Sequence, residues 1–153
     1  MAERKGTKAI QLIKLFHYWC GRLKLPKPVE IRKDNRLDCP LAIDNWQDKN
    51  NVCLRYHSRR LGACPKCILI SDIFHEIGHL INNLPYNTKK QQIESEYQAE
   101  KFSCDMMKKY YPKQYKLLIK RFIKLQRMKY YKKHEPIYYK AFIRIKDYKD
   151  TIV

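Results

Sequence analysis

No run of this 153-residue chain is apolar enough for long enough to cross a membrane. No secretory leader is expected either. Arg4, Lys5 and Lys8 open the chain as a leader might, but Lys14 and His17 interrupt the apolar run that follows, and no small-residue cleavage site comes after it. The expected setting is therefore cytoplasmic, in the source cell or in a host cell if the gene is viral or mobile. Acidic residues are few, 15 against 33 Lys+Arg, and the resulting net charge of +18 suits polyanionic or acidic partners without saying anything about fold. Alanine is scarce, and internal repeats and low-complexity linkers are absent. Six cysteines are present, yet only Cys64-Pro65-Lys66-Cys67 forms a C-x-x-C. No second such pair completes a structural zinc site; only Cys39 and Cys53, irregularly spaced, could do so. A redox role would need a thioredoxin-like βαβ setting, which the pattern lacks. In a cytoplasmic chain these cysteines are expected as buried thiols.

What is present is His75-Glu76-Ile77-Gly78-His79, an H-E-x-x-H string. Composition alone would produce one roughly 0.7% of the time, so the motif is specific. Ile68, Leu69, Ile73, Phe74, Ile77, Leu80 and Ile81 surround it, which implies a largely buried helix whose polar side chains need partners. Histidines four apart on a helix share a face and can reach one metal ion. Glu76 is placed to take a proton from a water on that ion.

The flanking pattern predicts an α+β fold in a single domain over residues 1–153, with a core at about 8–110 and a basic helical extension at about 112–153. Residues 8–24 have helical periodicity, with Ile10, Ile13, Phe16 and Cys20 in a stripe widened by Leu12 and Trp19. Three short strands are expected, around Val29–Ile31, Leu41–Ile43 and Val52–Tyr56. The motif helix should begin with Pro65 as its first residue and stop at Asn82-Asn83-Leu84-Pro85. Thr88 is a suitable N-cap for a second helix reaching about residue 110. Pro112 breaks it. From 113 to 133, Tyr115, Leu118, Ile119, Phe122 and Leu125 line one face of a further helix, and Lys116, Lys120, Lys124 and Arg127 the other. Residues 137–146 read equally well as helix or strand.

A zinc site of the catalytic type needs a third protein ligand and an open position. Glu94, Glu96 and Glu100 follow on the next helix. Glu96 and Glu100 share a face, so one can bind metal while the other accepts a hydrogen bond from a ligating histidine. Glu94 points elsewhere.

His75-Glu76-Ile77-Gly78-His79-Leu80 followed by Glu96-Tyr97-Gln98-Ala99-Glu100-Lys101-Phe102 resembles the gluzincin metallopeptidases, whose second motif is often written E-x-x-A-(D/N)-x-F. The pattern is similar to the small single-domain gluzincins and the ImmA/IrrE-like peptidases, and covers about residues 50–105. The resemblance implies a zincin-like domain with one Zn²⁺ per chain, His75, His79 and Glu96 as ligands and Glu76 as catalytic base. It also implies a peptide or protein substrate laid along an edge strand, matched here to residues 52–56. Glu100 stands where the family has Asp or Asn; it is the alternative ligand or the residue that orients one. Tyr86, Tyr110, Tyr111, His57 and His134 are all candidates for stabilising an oxyanion. His17 is expected to be packed or on the surface.

Residues 105–153 hold 15 of the 33 Lys+Arg, 4 of the 15 Asp+Glu and 8 of the 12 tyrosines. Lysines interleaved with aromatics can grip nucleic acid by stacking and phosphate contacts, or can steer acidic proteins. The other reading is a solvated lysine face over tyrosines that fill a core. An inactive zincin scaffold that binds nucleic acid or a partner's extended segment is thus the alternative to a peptidase.

Overall fold

A computed structural model describes residues 2–25, 28, 30–48, 50–120 and 127–149. The fold is α+β: one N-terminal helix, a three-stranded mixed sheet, then helices. Helix α1 spans Ala2–Arg22. Strands β1 (Glu30–Lys33), β2 (Leu41–Asp44) and β3 (Cys53–Tyr56) follow. A short helix α2 (Ser58–Ala63) precedes α3 (Lys66–Asn82) and α4 (Lys89–Tyr110). Four shorter helices come next: α5 (Pro112–Leu117), α6 (Met128–His134), α7 (Pro136–Phe142) and α8 (Lys146–Lys149). Among the described residues no helix is long and apolar enough to cross a membrane.

In α1 the buried face is Leu12, Phe16, Trp19 and Cys20. Ile10, expected in that stripe, is 54% exposed. The apolar stripe is centred on Leu12, and Ile10 lies beside it rather than on it. Trp19 meets Phe74 of α3 edge-on at 5.0 Å, which fixes α1 against the motif helix.

The sheet order is β1-β3-β2, with β1 parallel and β2 antiparallel to β3. This corrects the expectation for residues 52–56: β3 is the central strand, and β2 is an edge. Pairing order is set by contacts between strands, so β3's own alternation carries no record of it. Arg55 shows what holds it centrally. Its guanidinium reaches Asp44 of β2 (2.5 and 3.0 Å) and Asp34 just beyond β1 (3.0 Å), bracing both neighbours at once.

Pro65 is the N-cap of α3 rather than its first residue, and Asn83 ends the helix in the left-handed region (φ 47°), where asparagine is tolerated. Thr88 caps α4 as expected. Its hydroxyl accepts from the Gln91 N–H while the Gln91 side chain accepts from the Thr88 N–H, a closed capping box. Tyr111 alone separates α4 from α5, which Pro112 begins. Of the helix expected across 113–133, α5 covers the start, wider helical turns follow at 118–120, and α6 covers the end from Met128. Phe122, Lys124 and Leu125 fall outside the described residues. The ambiguity at 137–146 resolves to helix up to Phe142, followed by a turn through Ile143-Arg144-Ile145.

Helices α3 and α4 lie antiparallel and very close. A Cβ added at Gly78 would sit 2.8 Å from both the Cα and the carbonyl oxygen of Ala99. Seven residues earlier, Ser71 faces Ser103, whose hydroxyl donates to the Ser71 carbonyl at 2.8 Å. Small residues two turns apart thus let the backbones approach. Replacing Gly78 by Ala should cost about 1–3 kcal/mol through overpacking against a main chain that cannot yield. Gly21 of α1 has nothing within 4 Å of its missing Cβ. Gly21→Ala should leave stability unchanged or raise it by up to ~1 kcal/mol. Urea unfolding of the two variants checks both values.

Candidate metal centre

The close α3–α4 contact presses Glu96 and Glu100 against the two histidines one helix away. His75 and His79 are one turn apart on α3, 9% and 4% exposed, with ring centroids 4.9 Å apart. Glu96 and Glu100 of α4 are each 3% exposed. Glu96 Oε2 lies 2.9 Å from His75 Nε2 and 3.6 Å from His79 Nε2. Glu100 takes the far side of His75, where its Oε2 accepts from Nδ1 at 2.6 Å. The Nδ1 of His79 lies 3.2 Å from the Ser95 hydroxyl. Tyr86 donates to Glu96 Oε1 at 2.6 Å. The indole of Trp46 stacks on His79 at 4.7 Å.

Each Nδ1 therefore has its own partner, and both Nε2 atoms face Glu96 Oε2. Among the described residues His75, His79 and Glu96 form the one grouping of three ligand-type side chains, with donor atoms within 4.8 Å of one another. For bonds of about 2.0–2.1 Å, neighbouring ligands of a tetrahedral ion stand roughly 3.3 Å apart, a value that the observed 2.9 and 3.6 Å bracket. Two imidazoles and a carboxylate are also a donor set suited to a divalent cation. The residues fit the group.

Electrostatics fit too. Burial disfavours the charged form of His75, but the carboxylates of Glu100 and Glu96 override it and hold the imidazolium well above the usual histidine range. Burial pushes His79 down. Burial alone would raise Glu96, yet the two rings keep its carboxyl below the ordinary range. Glu100 is likewise held low, by His75 and by the hydroxyl of Tyr148.

Glu76, the residue after His75 on α3, faces β2. It accepts the Ile43 N–H at 2.9 Å, and burial pushes its carboxyl up to about 8. Together with His75 it lines a cleft of about 560 Å³ whose walls include Cys39, Leu41 of β2, and Tyr131 and Tyr138 from α6 and α7. The basic C-terminal helices are thus one wall of this cleft.

Of the other expected residues, Tyr86 is at the site. Tyr110 and Tyr111 pack on Trp19 instead. His57 caps α2, and His134 lies against Tyr130. Glu94 pairs with Arg144 at 2.7 Å, away from the histidines. His17 is half-buried with its Nε2 unpartnered. Cys39, Cys53 and Cys64 are free thiols; Cys39 donates to the Leu41 carbonyl and Cys53 to Glu30. They form no second metal grouping among the described residues. Ser95, Trp46, Tyr138 and Tyr148 escaped sequence reasoning. Ser95 had a signal in its place beside Glu96, whereas Trp46, Tyr138 and Tyr148 arrive from remote segments with none.

Comparison of the chain with known protein families, with curated proteins and with solved structures finds no match.

A metal ion needs the unprotonated Nε2 of His75, so its binding must expel the proton that Glu96 and Glu100 hold there. The sign follows: affinity rises with pH for as long as the metal-free His75 keeps its proton, through neutrality and beyond. Zinc affinity measured by chelator competition should rise about tenfold per pH unit from roughly pH 6 to 7.5. A histidine titrating at its ordinary value would flatten the curve near pH 7.

Proposed function

We propose that this protein is a zinc-dependent metallopeptidase of gluzincin type, acting on a peptide or protein substrate in the cytoplasm. The observation that carries the reading is the convergence of His75 Nε2, His79 Nε2 and Glu96 Oε2 while both Nδ1 atoms are engaged elsewhere. That arrangement leaves the correct nitrogen of each ring for one ion, the usual device for fixing a ligating histidine. Its match to the H-E-x-x-H and E-x-x-A motifs supports the same reading.

His75, His79 and Glu96 would hold the ion, which when bound supplies the Lewis acidity that activates a water and polarises a carbonyl. Glu76 is the general base. It accepts the proton of the attacking water on a carboxylate oxygen and passes it to the departing amine, so its proton balance is restored at each turnover. Burial raises that carboxyl, which makes it the stronger proton acceptor once it is ionised. The Ile43 N–H holds the carboxylate in place.

Substrate would lie along β2. The Ile43 N–H faces Glu76, and the Leu41 carbonyl accepts from Cys39, so both are turned away from β3 and towards the cleft. An extended peptide pairing with that edge passes beside Glu76. Tyr86, bonded to Glu96, and Tyr138, in the cleft wall, are phenols available to steady an oxyanion.

The nucleic-acid reading has less support. Tyr115 and Tyr148 are buried, and Tyr131 and Tyr138 line the cleft. Among the described residues Tyr130 is the single exposed tyrosine after residue 104. The lysines there form a solvated face over an aromatic interior.

Purified protein should carry about one zinc per chain. Glu76→Gln should keep that zinc and lose at least ~10²-fold in hydrolysis of a quenched-fluorescent peptide library. Folded wild-type protein that stays zinc-free after incubation with the metal sinks the reading.

A further inference from the structure

The ring of His75 is held by Glu100, and Glu100 is in turn held by a residue far along the chain. Tyr148 on α8 is fully buried, and its hydroxyl donates to Glu100 Oε1. The other oxygen, Oε2, accepts from His75 Nδ1. The Cys104 thiol, one turn beyond Glu100 on α4, donates to the Tyr148 hydroxyl at 3.4 Å and orients it. Helix α8 is itself locked down. Asp147 accepts from Tyr115 of α5 and pairs with Lys108 of α4 at 2.8 Å, and the Tyr148 ring packs on Phe142 at 6.0 Å.

We propose that Tyr148 is a positioning residue for the metal centre, acting through Glu100 on His75. This inference rests on the metal reading of His75, His79 and Glu96. A buried glutamate has two oxygens to satisfy and a side chain with rotational freedom. With Oε1 fixed by the phenol, Oε2 can only present itself to Nδ1, and the ring is held with Nε2 towards Glu96. Without the phenol the carboxylate has an unpaired buried oxygen and is free to turn away from His75. The Glu at this position is one methylene longer than the Asp or Asn of the motif it resembles. Tyr148 is what restrains the extra length.

The test is zinc affinity by chelator competition on the full chain. Tyr148→Phe should weaken zinc binding by about 10–100-fold, the range for losing a partner of a ligating histidine. Lys108→Met removes the ion pair that holds Asp147 of α8 and should stay within about twofold of wild type, since Lys108 shares no hydrogen-bond partner with Tyr148 or Glu100. In a Glu100→Gln background, Tyr148→Phe should cost less than about twofold more, because its route of action is already cut. Wild-type affinity in Tyr148→Phe overturns the proposal, as does an equal loss in Lys108→Met or full additivity with Glu100→Gln. If Tyr148→Phe does not fold, proton NMR of the unmutated protein decides. A slowly exchanging Tyr148 hydroxyl proton is expected, and a rapidly exchanging one overturns the assignment. A wild-type chain that binds no zinc fails differently, at the metal reading itself.

Discussion

The contact between Gly78 and the backbone of Ala99 is the constraint on which the site depends. Four carboxylate and imidazole side chains are brought within hydrogen-bond reach because two helix backbones approach more closely than any side chain at 78 would allow. Burying Glu96 and Glu100 is unfavourable unless each finds a counter-charge or donor. The histidines meet that need from α3, and the phenols of Tyr86 and Tyr148 from either flank. Helix packing and electrostatics therefore support each other. The close approach makes the hydrogen bonds, and the hydrogen bonds hold together a helix pair with polar side chains at its centre.

Much of this was legible because it is local. The 3.6-residue period places His75 over His79 and Glu96 over Glu100, and Thr88 with Gln91 announces the start of α4. What was not legible is non-local. Strand order depends on which partner each strand meets, so β3 was read as an edge although Arg55 binds it from both sides. Ile10 sits two residues before Leu12, on which the stripe centres. Trp46 and Tyr148 reach the site from 33 and 69 residues away from His79, as their numbers show, and no local pattern records that. Glu96 and Glu100 could be paired from sequence, but their division of labour required seeing which nitrogen each one faces.

The C-terminal helices change meaning when seen in place. By composition they form a basic, tyrosine-rich segment suited to polyanions. In the fold, Tyr131, Tyr138 and Phe142 turn inward to close the cleft, Tyr148 reaches Glu100, and Arg127 pairs with Asp72 one turn before Glu76 at 3.2 Å. Charge density on the outer face and aromatic packing on the inner face belong to the same short helices, and composition averages the two.

The +18 net charge bears on how any cation arrives. At long range the molecule repels a divalent ion. Close in, Asp38, Asp72, Glu100 and Glu135 outnumber Arg60, Arg127 and the imidazolium of His75 along the cleft. The two fields have different reach, because added salt screens the distant lysines within about 10 Å at 0.1 M and leaves a buried cluster largely unscreened. Capture of a metal ion by this chain would thus be governed by a barrier that salt lowers and a well that salt barely touches. Its uptake rate should quicken as ionic strength rises, the reverse of what a cation meets at an acidic protein.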